Sequence, residues 1–412
     1  MPYMGFLVLT MMLAGYGTYI GHVIDVEPYR IKGQPLGISI PILLFPIAVA
    51  LWLIYRGRRS QNLLVNLFLV GLTVSWVVHS LIASTHNDMI THTVWLFIPV
   101  VLMVLFKTPT GAEGWQALLL IAWFAVVILV LTRVMEILNI VPMFSIPDVA
   151  ATQWEKQNYW LPLSGYLGLD GRWPGPFGFN SKTGFVSVFL VVMGAARWSK
   201  SSWVFVIVGG LGIVLTGGRG VYLSLLSGLL VLVLMSRRGP LARISVTARA
   251  AAGVGLVLVA GLLFFFSPLG TTGRIGDNGI WNSFLDLWRT SIWTGVGQQG
   301  IWNSVGRAHD AMDGHSLYVQ EISKYGILGF TFQYLVLAVG VVVVVIAAIK
   351  GWSGPLAILV IYFVAGVTDL LHDGWSTHSM YTLMVILCVV SSGAFIQERR
   401  DPVPSEVNAT LT

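Results

Sequence analysis

Arginine and histidine are the residues whose placement in this chain suits chemistry. Arg219 stands in Thr216-Gly217-Gly218-Arg219-Gly220, between two apolar runs. The flanking glycines let backbone approach a ligand closely and leave N–H groups free for an anion. An arginine beside hydrocarbon is costly unless it meets a polar cavity or a partner. The plainer alternative is a snorkelling arginine that ends a helix on a glycine turn. Arg274, Arg289 and Arg307 follow in the segment that begins at Ser267, and Arg172 precedes them in Gly171-Arg172-Trp173-Pro174-Gly175-Pro176-Phe177. Singly, each is an ordinary loop arginine. Gathered on one side, they form a clamp for a diphosphate, because guanidinium groups grip phosphate oxygens in bidentate fashion.

His309 and His315 fall in Arg307-Ala308-His309-Asp310-Ala311-Met312-Asp313-Gly314-His315-Ser316-Leu317-Tyr318. After His315 comes an amphipathic stretch, Leu317, Tyr318, Val319, Ile322 and Tyr325, closed by Gly326. This pattern predicts a short helix at the membrane surface with His315 at its start. A neutral imidazole there accepts a proton from a hydroxyl, oriented by Asp310 or Asp313. The alternative is an exposed helix-start histidine with no chemical role. His309, Asp310, Asp313 and His315 also read as a divalent-metal set, but a run of loop residues does not by itself supply converging ligands, and no metal is expected. Gly295-Val296-Gly297-Gln298-Gln299-Gly300 matches Gly-x-Gly-x-x-Gly without the βαβ unit that a dinucleotide site needs. His79, His372 and His378 give no independent signal.

These residues need elements to hold them. Of 412 residues, 56% are hydrophobic and 10% charged, against roughly 25% charged in a soluble domain. With a mean hydropathy of +0.79, the composition excludes a soluble enzyme, a disordered chain and a coiled coil. Runs such as Ala338 to Ile349 are apolar all round, whereas barrel strands alternate. The expected fold class is therefore all-α, a polytopic membrane protein with about twelve transmembrane helices. The predicted segments are Met4 to Ile20, Leu36 to Tyr55, Leu63 to Ile82, Met89 to Phe106, Trp115 to Leu138, Gly178 to Ala196, Trp203 to Leu215, Val221 to Met235, Ala250 to Phe266, Ile327 to Ile349, Leu356 to Leu371 and Met380 to Ile396. The first lacks a basic n-region and a cleavage site, so it reads as a span rather than a signal peptide.

Sidedness follows from the short connections. Arg56, Arg58, Arg59, Lys107, Arg197, Lys200, Arg237, Arg238, Arg243, Arg249, Lys350, Arg399 and Arg400 all fall on one side if the N-terminus is inside, while short connections on the other side hold Arg30, Lys32 and Arg219. The positive-inside rule places both ends in the cytoplasm. The net charge of +6 is thus a matter of topology, not of nucleic-acid binding. Cys388, the single cysteine, lies in an apolar run and excludes a disulfide framework or thiol relay. The chain reads as one integral-membrane domain over residues 1–396 with a polar cytoplasmic tail, 397–412. Outer loops 141–177 and 267–326 mix Trp, Gly and Pro with Arg, His and Asp, as packed binding loops do, and are expected to cap the site.

At this point the residues match a known pattern. His315-Ser316-Leu317-Tyr318 followed by Gly326-Ile327-Leu328-Gly329 resembles the histidine and glycine signature of the bacterial O-antigen ligase and polymerase superfamily. Arg172 through Asn180, Arg219 in its glycine turn, Arg274 with Trp281, and the Gly295 to Gly300 turn occur in that family's order. The span plan and the large extracytoplasmic loop before the tenth span are similar too, so the resemblance covers most of the chain.

The resemblance implies a GT-C-like membrane glycosyltransferase in the bacterial inner membrane, with its site on the outer, periplasmic face. It would transfer a glycan from an undecaprenyl-diphosphate carrier to a lipid or glycan acceptor hydroxyl, with inversion and without metal, nucleotide or other cofactor. His315 would be the base. Arg219 and Arg274 would hold the diphosphate, with Arg172 and Arg289 as further contacts. The expected partners are the lipid-linked donor, the acceptor and membrane lipids; no nucleic acid is expected, and nothing argues for more than a monomer. The order of motifs leans to ligase, with polymerase as the runner-up. A flippase of lipid-linked glycans is the rival from another class, and would place ionisable or broken-helix sites near the bilayer midplane.

Overall fold

The computed structural model describes residues 30–31, 34–35, 62–85, 110–138, 173, 175–176, 180–197, 199, 201–217, 219–235, 244–245, 248–249, 280–301, 303–304, 316–368 and 375–399. Apart from a two-residue antiparallel ladder between Arg30–Ile31 and Gln34–Pro35, the regular structure among them is helical. The helices are α1 (Leu63–Thr85), α2 (Gly111–Ile137), α3 (Asn180–Arg197), α4 (Ser202–Thr216), α5 (Arg219–Met235), α6 (Ile280–Thr290), α7 (Gly297–Ile301), α8 (Leu317–Ile349), α9 (Gly354–Thr368) and α10 (Trp375–Glu398). The expected all-α class is what these residues form. Predicted segments three, five to eight and ten to twelve fall on α1, α2, α3, α4, α5, α8, α9 and α10. Segments one, two, four and nine lie outside the described residues, as does the polar tail beyond Arg399.

Helix ends alternate through the bundle, and packing contacts fix which ends lie together. Trp115, near the start of α2, and Ala196, at the end of α3, both border Gly354 at the start of α9. Gly111 borders Phe395 and Glu398 at the end of α10. Leu317 borders Gly366 near the end of α9, and His79 in the last turns of α1 reaches Gly329. One end of the bundle therefore carries Thr85, Ile137, Asn180, Thr216, Arg219, Gly326 and Thr368. Successive helices run in opposite directions through α3, α4 and α5 and through the long limb of α8, α9 and α10, whereas α1 and α2 run the same way.

The core is Leu, Val, Ile and Phe from every long helix, with Phe68, Phe189 and Phe205 fully buried. Small residues let helix backbones approach. Gly209 and Gly212 of α4 lie against Ser187 of α3, and Gly71 of α1 lies against Val336 of α8. Cys388 is a free thiol, fully buried in α10.

The outer surface is apolar as well. Leu63, Leu67, Val70, Val74, Val77 and Leu81 are exposed along α1, and Leu328, Leu335, Val342 and Ile349 along α8. Contiguous apolar stripes of this length are rare on soluble monomers. Gly111–Met135 within α2 and Leu317–Ile349 are each long and apolar enough to cross a membrane.

Candidate functional site

Gly326 shapes the first part of the site. Its φ of 64° and ψ of −171° break α8, in a conformation that an L side chain rarely adopts. The break separates a short limb, residues 317–325, from a long limb, residues 327–349. The rings of Tyr318 and Tyr334 lie 5.4 Å apart between centroids, so the short limb folds back along the long one. The sequence predicted the short helix and its closure at Gly326, and both are found. The short helix packs against the bundle: Ser316 and Leu317 are each 2% exposed, and the Tyr318 hydroxyl donates to the Phe363 carbonyl of α9 at 2.8 Å. The buried face is not the apolar stripe. Gln320 and Ser323 point inward beside Leu317, while Val319 and Ile322 are only half-buried.

The broken backbone is repaired by the segment that follows α6. Ile327 N–H donates to Ile292 O at 2.9 Å, Leu328 N–H to Trp293 O at 3.1 Å, and Val296 N–H to Ser323 O at 2.9 Å. Gly295, at φ 67°, makes this possible. A Cβ on Gly295 would meet the Gly326 nitrogen at 2.6 Å, and one on Gly326 would overlap the Trp293 carbonyl. The first glycine of the Gly-x-Gly-x-x-Gly run thus acts structurally, letting the segment after α6 press on the helix break. Ser323 Oγ adds bonds to Phe284 O of α6 at 2.9 Å and to Val319 O at 2.8 Å. From the other side, His79 stacks on Tyr325 with centroids 4.1 Å apart, and its Nε2 lies 3.1 Å from Gly329 O. Sequence reading missed His79, although an ionisable residue inside an apolar helix is a default signal.

Basic residues gather at the same bundle end. Gly217 caps α4 in the left-handed region, φ 57°, with its N–H on Ile213 O at 3.0 Å. The backbone of Arg219 then opens α5; its side chain lies outside the described residues. The Trp173 N–H donates to Leu215 O at 3.0 Å, and its ring lies under the Arg133 guanidinium, 5.8 Å from ring centroid to Cζ. Gly175, at φ 62°, packs on Thr183, and Gly184 packs beside Thr216. The residue following Arg172 is therefore bonded to the turn that leads into Arg219, uniting two segments that are remote in sequence. Lys182, in the first turn of α3, is only 5% exposed. Sequence reading passed over it, since it stands among the polar residues Asn180, Ser181 and Thr183 at a helix start.

Arg289 lies on the exposed face of α6 and pairs with Asp286 one turn back. His315, Arg172, Arg274, Asp310 and Asp313 lie outside the described residues, as do Arg307 and His309. Among the described residues no group of His, Cys, Asp and Glu is arranged to hold a metal ion. The chain matches no protein-family model and no curated protein.

Proposed function

We propose that the chain is a membrane glycosyltransferase of the O-antigen ligase type, built on about twelve spans with its site on the periplasmic face of the bacterial inner membrane. It moves a glycan from an undecaprenyl-diphosphate carrier to an acceptor hydroxyl. The observation that carries the reading is the bond from Trp173 to Leu215, which brings the Arg172 segment to the Arg219 turn, at the bundle end where the helix that follows His315 begins. A lipid diphosphate is a good leaving group, so its departure needs charge neutralisation, which Arg219 and Arg274 supply, with Arg172 and Arg289 as further contacts. The acceptor hydroxyl needs a base. His315 takes its proton as the acceptor oxygen bonds to the anomeric carbon, and the bond to the phosphate oxygen breaks with inversion. Asp310 or Asp313 orients the imidazole. No metal or cofactor enters the scheme.

Reconstitution with an undecaprenyl-diphosphate-linked glycan and a lipid or core-oligosaccharide acceptor tests the reading. Transfer to the acceptor is the expected result, and its absence with every acceptor overturns it. A ladder of lengthening products from carrier-linked repeat units alone would make the protein a polymerase of the same superfamily.

One observation favours a second reading, a flippase. Transporters place ionisable groups beside broken helices, and the break at Gly326 lies near Glu321 Oε2 and Tyr334 Oη, both buried without a hydrogen-bond partner. Against it, the 23-residue long limb begins after the break and spans roughly 34 Å by itself, so the break lies at a helix end. Movement of a fluorescent lipid-linked glycan across proteoliposomes without product formation, abolished by Glu321→Gln, would establish the flippase.

A further inference from the structure

We propose that Ile292 and Trp293 form an interfacial anchor: their side chains seat at the boundary between headgroups and hydrocarbon of a phospholipid bilayer, and so hold the segment that clasps the helix break at Gly326. The inference rests on the membrane reading of the bundle and on no particular reaction. Both side chains are exposed, Trp293 by 63% and Ile292 by 43%, although their carbonyls are engaged with Leu328 and Ile327. An exposed indole beside an exposed isoleucine fits the boundary of a membrane, where the apolar body of the ring meets hydrocarbon and its polar edge meets headgroups.

Backbone bonds fix the level at which the pair stands. Leu328, Leu335, Val342 and Ile349 are all exposed and recur at every seventh residue, so they line one outward face of the long limb. A limb of 23 residues, roughly 34 Å long, matches a hydrocarbon layer of about 30 Å. Its first turn therefore lies at the hydrocarbon edge, and the leucine stripe is its lipid-facing side. The N–H groups of a first turn have no partner within their own helix, and beside lipid they need one. Ile292 and Trp293 supply carbonyls to two of them, at 2.9 and 3.1 Å, so the pair stands at the depth of Leu328 and continues its stripe. α6 leads in from the water side: Asp286 and Arg289 are exposed and paired, while Phe284 is buried and its carbonyl receives the Ser323 hydroxyl. A charge-neutral pair beside the anchor points to apolar insertion, with zwitterionic lipid as a sufficient partner, rather than to attraction by anionic headgroups.

The test places single nitroxide labels at Ile292→Cys, Trp293→Cys, Asp286→Cys and Leu335→Cys in the full-length protein in phosphatidylcholine nanodiscs, Cys388 being fully buried. Collision with oxygen, which concentrates in hydrocarbon, is measured against collision with a water-soluble nickel chelate. The oxygen-to-nickel ratio at 292 and 293 is expected to lie several-fold above that at 286 and below that at 335. Because Trp293→Cys removes the indole, Ile292→Cys carries the measurement with Trp293 in place. A ratio equal to that at 286 would put the pair in water, and labels shielded from both reagents would mean that protein covers it; either result overturns the proposal. Nickel access at Leu335→Cys would overturn the membrane reading itself. The hold on the break is read by amide hydrogen exchange at Ile327 and Leu328 in the same nanodiscs. Trp293→Ser is expected to speed it several-fold and Trp293→Tyr, which keeps an interfacial ring, to leave it near wild type. Unchanged exchange in Trp293→Ser would overturn the hold on the break.

Discussion

The Tyr318 and Tyr334 rings lie 5.4 Å apart, although their positions would be separated by roughly 24 Å along an unbroken helix. Only a reversal of direction at Gly326 brings them together. The reversal changes what the residues before Leu317 can reach. The helix start following His315 is carried alongside the long limb and α9, with Leu317 against Gly366. A base at that start, as proposed for His315, would work at the mouth of the bundle rather than on a free surface loop.

Substituting the glycine at the reversal should be costly. Gly326→Ala places a side chain at positive φ, worth about 1–3 kcal/mol of strain, and drives a methyl into the Trp293 carbonyl and the Gly295 nitrogen. A clear fall in Tm in detergent is expected, with Gly295→Ala behaving alike. Gly210→Ala is the matched control, since a Cβ there meets nothing within 4 Å. Equal Tm values for Gly326→Ala and Gly210→Ala would remove the clasp from the account.

His79 braces the break by stacking and by a polar bond, and two substitutions separate these. His79→Phe keeps a ring against Tyr325 and loses the contact with Gly329 O, which should cost about 1 kcal/mol. His79→Ala also loses the stacking, worth about 0.5–1.5 kcal/mol more, and leaves a cavity. Chemical denaturation of the two variants should rank them in that order; identical stabilities would show that the ring contributes nothing.

Removal of the imidazole in His315→Ala should lower the transfer rate by roughly two to four orders of magnitude, with donor lipid still bound. Turnover near wild type in the purified variant would exclude His315 as base and move the test to His309. Activity should persist in excess EDTA. Loss restored by a divalent ion would instead make His309, Asp310, Asp313 and His315 a metal set.

Arg219→Lys tests bidentate contact. The charge is kept but the planar fork is lost, so most activity should disappear at saturating donor. A snorkelling arginine would accept lysine freely, and equal activity across a donor series would show that.

The helices were legible because continuous apolar runs state their own length, and Gly326 was legible because glycine closes an amphipathic stretch. Direction after the break was not. Reversal depends on Ile292 and Trp293 offering carbonyls to Ile327 and Leu328, a pairing across some thirty-five positions that no local pattern carries. The inward turn of Gln320 and Ser323 followed from it, against the apolar stripe of Val319 and Ile322. Lys182 and His79 were hidden for a different reason. His79 sits singly in an apolar run and Lys182 among Asn180, Ser181 and Thr183 at a helix start, and burial against particular neighbours, rather than residue type, separates a brace from a tolerated polar residue. The meeting of Trp173 with Leu215 was foreshadowed only by the order of arginine-bearing segments, which says nothing about distance.

Cys388 has a practical use. Its thiol is sealed in α10 with no exposed surface, so mild alkylating reagents should leave the native protein unlabelled. A cysteine introduced at an exposed position such as 289, whose side chain is 69% exposed, would then carry a maleimide dye or a nitroxide without background. Accessibility from either leaflet, and label-to-label separation during turnover, become directly measurable in otherwise unmodified protein.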